Sequence, residues 1–129
     1  AAADFSVKLS PAMQALKEEI LKQYEAEKYE MPSLDEILEN KKDKVNARHI
    51  IEAMDGQELA RLNHQYYISK TALLEARVKM ERYIAENGQI TLAEFRDMLE
   101  TSRKYAVTIL EYFDEQKITR KVDDARVLM

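Results

Sequence analysis

Apolar residues recur along the chain at helical spacing. Ala106, Ile109, Leu110 and Phe113 follow i, i+3, i+4, i+7, and Ala47, Ile50, Ile51 and Met54 do the same. That period lays one apolar stripe along a helix. Two longer stripes, Met13-Leu16-Ile20-Tyr24 and Leu73-Ala76-Met80-Ile84, predict longer amphipathic helices. Each follows a serine, Ser10 or Ser69, whose hydroxyl suits a helix start. Two short helices are announced by S/T-x-x-E boxes, "SLDEI" at 33–37 and "TLAEF" at 91–95. Between these helices, strands are predicted near 57–62 and 65–68, turned at Asn63-His64. A second pair is predicted near 117–122 and 125–128, turned at Asp123-Asp124.

These elements come twice, about 59 residues apart. "IIEAMDGQELAR" (50–61) lies over "ILEYFDEQKITR" (109–120), with Glu52, Asp55, Gln57 and Arg61 matched by Glu111, Asp114, Gln116 and Arg120. Each copy reads helix, short helix, helix, hairpin. The predicted fold class is therefore mainly α with small β-hairpins (α+β), as two tandem winged-helix domains, residues 1–67 and 68–129. Units of ~60 residues are small but able to fold. No Gly/Ser/Pro linker parts them, since "YYISK" (66–70) runs from the first hairpin into the next helix. A fairly fixed angle between the units is expected. The third helix of such a unit is the usual recognition element.

Composition narrows the classes. The 129 residues are 46% hydrophobic and 34% charged, with two Gly, two Pro and no Cys. This suits a folded chain with neither disulfides nor thiolate metal sites, as in a reducing cytosol. No apolar run reaches bilayer length, so no membrane partner is expected. The start "AAADFS" has no initiator Met. It predicts a piece of a longer chain, or residues added at its beginning. Net charge is −4, but its distribution matters more: residues 1–100 hold 14 Lys+Arg against 19 Asp+Glu, while 101–129 hold six against five.

One stretch runs against helix electrostatics. Thr101-Ser102 marks a helix start, yet Arg103-Lys104 follow at once, where the positive end of the macrodipole repels cations. With Thr101 as N-cap, Arg103 and Lys104 fall at N2 and N3. The choice costs a few tenths of a kcal/mol to about 1 kcal/mol. An external phosphate would explain it, meeting free N–H groups, two cations and the Thr101 and Ser102 hydroxyls. Tyr105 can stack on an unpaired base, and the wing adds Arg120, Lys121 and Arg126. From the residues alone an ordinary surface stays open: Arg103 beside Asp97 or Glu100, Lys104 solvated, Tyr105 packed at the helix edge. The first copy has Lys41, Lys42 and Lys44 at the matching place, with Arg48 beyond. There Asp43 can cap the helix, so a solvated face suffices.

"FRDMLETSRKYAVTILEYFDEQKITRKVDDARVL" (95–128) resembles the C-terminal end of the bacterial selenocysteine-specific elongation factors, the SelB family. The likeness spans roughly residues 68–129 and is carried by "TSRKYA" at the third helix with "TRK…RVL" behind it. The upstream unit resembles the penultimate winged helix of that family more weakly. The resemblance implies binding of the messenger-RNA hairpin that recodes UGA as selenocysteine, through Thr101, Ser102, Arg103, Lys104 and Tyr105, supported by Arg120, Lys121 and Arg126. It further implies a monomeric, cytoplasmic module that meets the ribosome and selenocysteyl-tRNA as part of the whole factor, whose GTPase lies in other sequence. Three positions depart from the family: Glu100 stands where Gly is common, Lys121 where Arg is frequent, and Asp123-Asp124 in place of a Gly-Asp turn.

Other chemistries find little support. Gly56 and Gly88 are isolated, so there is no phosphate-cradling loop. His49 and His64 lack metal spacing. Glu18-Glu19 and Asp35-Glu36 lie on polar faces, and no nucleophile–base pair is visible. Met13, Met54, Met80 and Met98 read as core. No cofactor, metal or catalytic residue is expected. Two alternatives to the RNA-tether reading remain: a DNA-binding winged-helix regulator and a protein–protein winged-helix module.

Overall fold

The computed structural model describes residues 10–129; residues 1–9, with the "AAADFS" start, lie outside the described part. The predicted helices are present. In the first half they are α1 (Pro11–Glu27), α2 (Leu34–Glu39) and α3 (Lys44–Met54), followed by strands β1 (Leu59–Arg61) and β2 (Tyr67–Ser69). The second half repeats the order with α4 (Lys70–Asn87), β3 (Ile90–Thr91), α5 (Leu92–Leu99), α6 (Arg103–Glu115), β4 (Thr119–Val122) and β5 (Ala125–Leu128). The chain is mainly helical with small antiparallel sheets, as its patterning predicts.

Local chemistry starts the helices where the sequence places the starts. Ser10 and Ser69 each accept the N–H three residues on, from Met13 and Ala72. Ser33 with Glu36, and Thr91 with Glu94, form complete capping boxes. The backbone N–H of Ser33 and of Thr91 holds the Glu36 and Glu94 carboxyls below their ordinary range.

β1, β2 and β4 are shorter than predicted, β5 spans its predicted residues, and β3 is not foreseen at all. It pairs with β5, Ile90 facing Arg126, giving the sheet order β3-β5-β4. A two-residue strand carries no period to read. The same place in the first half is a single bridge between Ser33 and Tyr66. The turns also differ. Asp123-Asp124 close a two-residue hairpin, with Val122 opposite Ala125 and Asp123 at φ 57°. The first hairpin needs a correction: its loop spans Leu62–Tyr66, not Asn63-His64 alone. Asn63 Oδ1 accepts from the N–H of both Gln65 and Tyr66, at 2.9 Å each, and so holds the wider loop.

Two cores form. In one, Ile20 and Tyr24 of α1 pack against Ile37, Ile51, Met54 and Leu59. In the other, the stripes of α4 and α6 meet Ile90 and Phe95, with the Phe95 and Phe113 rings edge-to-face at 6.4 Å. Each fully buried Ile, Leu or Phe contributes about 1.5–3 kcal/mol. The second core is not closed by the second half alone. Tyr29, Met31, Ala60, Leu62 and Ile68 of the first half are buried in it. Tyr29 also donates its hydroxyl to the Ala72 carbonyl at 2.8 Å. Moreover, β2 ends at Ser69, which is the N-cap of α4, so a division after residue 67 falls inside a strand. The halves are joined by packing as well as by chain.

Among the described residues, one buried side-chain group lacks a partner. The Tyr24 hydroxyl is enclosed in the first core with no hydrogen bond, and burial pushes its phenol well above the ordinary range. An unpaired buried hydroxyl is destabilising. Tyr24→Phe is therefore expected to raise the unfolding free energy by about 1 kcal/mol in urea titration. A loss of similar size would show that the hydroxyl has a partner.

Candidate nucleic-acid interface

The start of α6 differs from every other helix start among the described residues. Its N-cap is Ser102, not Thr101 as expected, and Ser102 makes no side-chain cap bond. Arg103 and Lys104 are therefore N1 and N2. Thr101 is unavailable because its hydroxyl donates to the Tyr29 carbonyl at 2.8 Å, while its N–H closes α5 on the Arg96 carbonyl. The α6 ladder begins at Ala106, which donates to the Ser102 carbonyl. The N–H groups of Arg103, Lys104 and Tyr105 thus have no intrahelical acceptor.

The adjacent cations part company. Arg103 lies on the wing side, in an open groove lined also by Thr91, Leu92, Ala93, Lys121, Asp124 and Arg126. Lys121 and Arg126 are opposite each other in the β4–β5 ladder. Arg120 precedes Lys121 on β4 and so faces away from it, because successive side chains alternate; it does not line the groove. Arg126 has a second occupation. It is only 7% exposed, and its Nη2 and Nε donate to Asp114 Oδ2 at 2.8 and 3.2 Å. Thr119 donates to Asp114 Oδ1 at 2.7 Å. Arg126 thereby ties the wing to the end of α6. Among the described residues, no carboxylate forms an ion pair with Arg103, Arg120 or Lys121, so Asp97 and Glu100 do not neutralise Arg103.

Lys104 and Tyr105 turn the other way, toward the first half. Lys104 Nζ stands 5.4 Å from the ring centres of both Tyr66 and Tyr105. Those two rings meet edge-to-face at 6.1 Å. Tyr66, then Tyr105 and Glu36, push the Lys104 ammonium above its ordinary pKa. Tyr105 is half-buried against the second core. Sequence reasoning missed Tyr29 and Tyr66. Tyr66 lies in "YYISK", 38 positions before Lys104 in the chain, and no local pattern links the two.

Glu100 occupies a backbone position that favours glycine. It ends α5 in the left-handed region, φ 54° and ψ 46°. A residue with a Cβ is strained there by about 1–2 kcal/mol, partly offset in any comparison by the extra unfolded-state freedom of glycine. Glu100→Gly is expected to raise stability by about 0.5–1 kcal/mol by urea titration. It also removes a carboxylate two residues before the uncapped start. Destabilisation would show that the Glu100 side chain makes a contact of its own.

The rest of α6 is ill-suited to meet a polyanion. Its outer face carries Thr108, Glu111 and Glu115 beside Leu62 and Asn63 of the first half. The matching start in the first half is self-contained, as its residues suggest. Asp43 accepts from the Asn46 N–H, Lys41 pairs with Glu19 at 2.6 Å, and Lys44 Nζ donates to the Glu39 and Lys41 carbonyls.

Three helices, a small sheet and a β4–β5 wing beside the third helix define the second half as a winged helix. Residues 82–128 match the family described as elongation factor SelB, winged helix; the resemblance read from "TSRKYA" and the wing is borne out. The chain is 33% identical over 73 residues to the selenocysteine-specific elongation factor of Desulfomicrobium baculatum, covering 57% of this chain. It spans only 12% of the length of that curated relative. In fold it is similar to the mRNA-binding domain of elongation factor SelB from E. coli, solved in complex with SECIS RNA, with TM-score 0.73, 24% identity, and 93% and 98% of the two chains covered. It is also similar to bacterial selenocysteine-specific elongation factor EF-Sec, with TM-score 0.67, 15% identity, and 95% and 20% covered.

Proposed function

We propose that this chain is the RNA-binding end of a selenocysteine-specific elongation factor, built of two winged-helix domains that meet where β2 runs into α4. It binds the selenocysteine-insertion hairpin of a messenger RNA. By holding that hairpin it raises the local concentration of the attached factor at the UGA-decoding ribosome in the cytoplasm. The ribosome, selenocysteyl-tRNA and GTP hydrolysis belong to the whole factor; this segment has no catalytic role. The carrying observation is the uncapped start of α6, with Arg103 facing Lys121 across the wing groove, inside the SelB-matching segment.

The chemistry fits RNA. Free N–H groups and a guanidinium receive a phosphate or the edge of an extruded base. Ser102, Arg103 and Lys121 form the contact surface, with Arg120 at the wing's other face. Thr101, Lys104 and Tyr105 complete the same turn, and Arg126 holds the wing in place. A duplex-DNA regulator would lay α6 along the major groove. Glu111 and Glu115 disfavour that, and the first half lies against the same face. A protein–protein module would not need Arg103 at N1.

Titration of a labelled hairpin at two salt concentrations tests the proposal. The intact chain is expected to bind with a steep salt dependence. Arg103→Ala is expected to lose more than ~1 kcal/mol, as a charge-assisted contact would. Equal binding of hairpin and loop-scrambled RNA, or an Arg103→Ala variant indistinguishable from the parent, would overturn it.

A further inference from the structure

The "TSRKY" turn has two sides, and only one is turned to the wing groove. Arg103 lines that groove. Thr101 bonds the Tyr29 carbonyl, Lys104 lies over the Tyr66 ring, and Tyr105 meets Tyr66 edge-on. Lys104 is at N2, where the helix dipole repels it. Two aromatic faces at 5.4 Å stabilise an ammonium there, each by an amount typical of an exposed cation–π contact. The Glu36 carboxylate adds attraction from the first half. The groups around Lys104 thus account for its position without a phosphate.

We infer that Lys104 is not a phosphate ligand but a positioning residue: with Tyr66 it holds the first half against the α6 start and so orients Ser102 and Arg103 toward the RNA. This rests on the hairpin-binding proposal above and deepens it. It gives the first half a task in recognition without contact with the RNA. The motif then divides by side, Arg103 and Ser102 for the anion and Thr101, Lys104 and Tyr105 for the junction.

Salt dependence separates a ligand from a positioning group. Each phosphate contact adds about one to the slope of log affinity against log salt. Arg103→Ala is expected to lower that slope by about one. Lys104→Met and Tyr66→Leu are expected to weaken hairpin binding about three- to tenfold with the slope unchanged. Tyr66→Phe keeps the ring and is expected to keep the affinity. A second measurement needs no RNA. In NMR spectra of the free chain, the Lys104 ε-methylene resonance is expected upfield, under the two rings. It should stay there as inorganic phosphate is titrated to shift the amides of residues 103–105, and move to an ordinary position in Tyr66→Leu. A slope that falls in Lys104→Met as it does in Arg103→Ala would overturn the inference. So would an ε-methylene that leaves the rings as phosphate binds, or full affinity in Tyr66→Leu. Failure of the parent chain to bind the hairpin would instead sink the RNA reading, with the phosphate titration still deciding whether Lys104 stays at the junction.

Discussion

Asp114→Ala is expected to lower the unfolding free energy by about 3–5 kcal/mol, the cost of stranding a buried charge. Asp114 stands near the end of α6 and receives two donors from Arg126 and one from Thr119. The Arg126 side chain is only 8% exposed, so water cannot replace the lost carboxylate. Thr119, itself 1% exposed, loses its acceptor as well. The damage is directional, because β4 and β5 are oriented on α6 through these bonds. The wing carrying Arg120 and Lys121 should loosen relative to Arg103, and hairpin affinity should fall together with stability. Replacing both partners at once, Asp114→Leu with Arg126→Met, should recover much of the stability, since no charge is left unpaired. Urea denaturation of the three variants checks this. A loss below about 1 kcal/mol for Asp114→Ala would mean that the pair behaves as a surface pair.

Met31→Ala is the second large effect, expected to cost about 2–5 kcal/mol as a buried methionine truncated in a packed core. Met31 belongs to the first half by sequence but is 1% exposed inside the core shared with α4 and α6. The cavity opens where Tyr29, Leu62 and Ile68 close that core. Hydrogen exchange should therefore show protection lost in α4 and α6, beyond the first half alone. A single cooperative unfolding transition is expected for the parent chain, because the halves share buried surface. If exchange changed only in residues 10–69, the halves would be energetically separate and Met31 would be an ordinary residue of its own unit.

The junction also explains how far the site was legible in the residues. The anomaly at Arg103-Lys104 was visible because dipole electrostatics is local: a cation at a helix start is out of place whatever surrounds it. Its meaning divided only in three dimensions. Arg103 and Lys104 are neighbours in the chain, yet one faces the wing groove and the other two aromatic rings. Tyr66 reaches Lys104 through the packing of the halves, and no spacing rule links residues so far apart. Arg126 likewise reads as a free wing cation in sequence. Only the return of β5 past the end of α6 brings it to Asp114.

The residues by themselves determined the helices, their caps and the doubled order, because stripes, hydroxyls and capping carboxylates act within a turn or two of chain. They also carried the family likeness, since "TSRKYA" and its wing are contiguous stretches. Tertiary structure decided the two-residue β3, the five-residue loop at Leu62–Tyr66, the uncapped Ser102 and the shared second core. Each of those depends on what a distant segment presents: β5 for Ile90, the Leu34 N–H donating to the Gln65 carbonyl for the loop, Tyr29 for Thr101, and Met31 for the core. A side chain or backbone group has only so many partners to give, and which one it takes is settled when the halves pack.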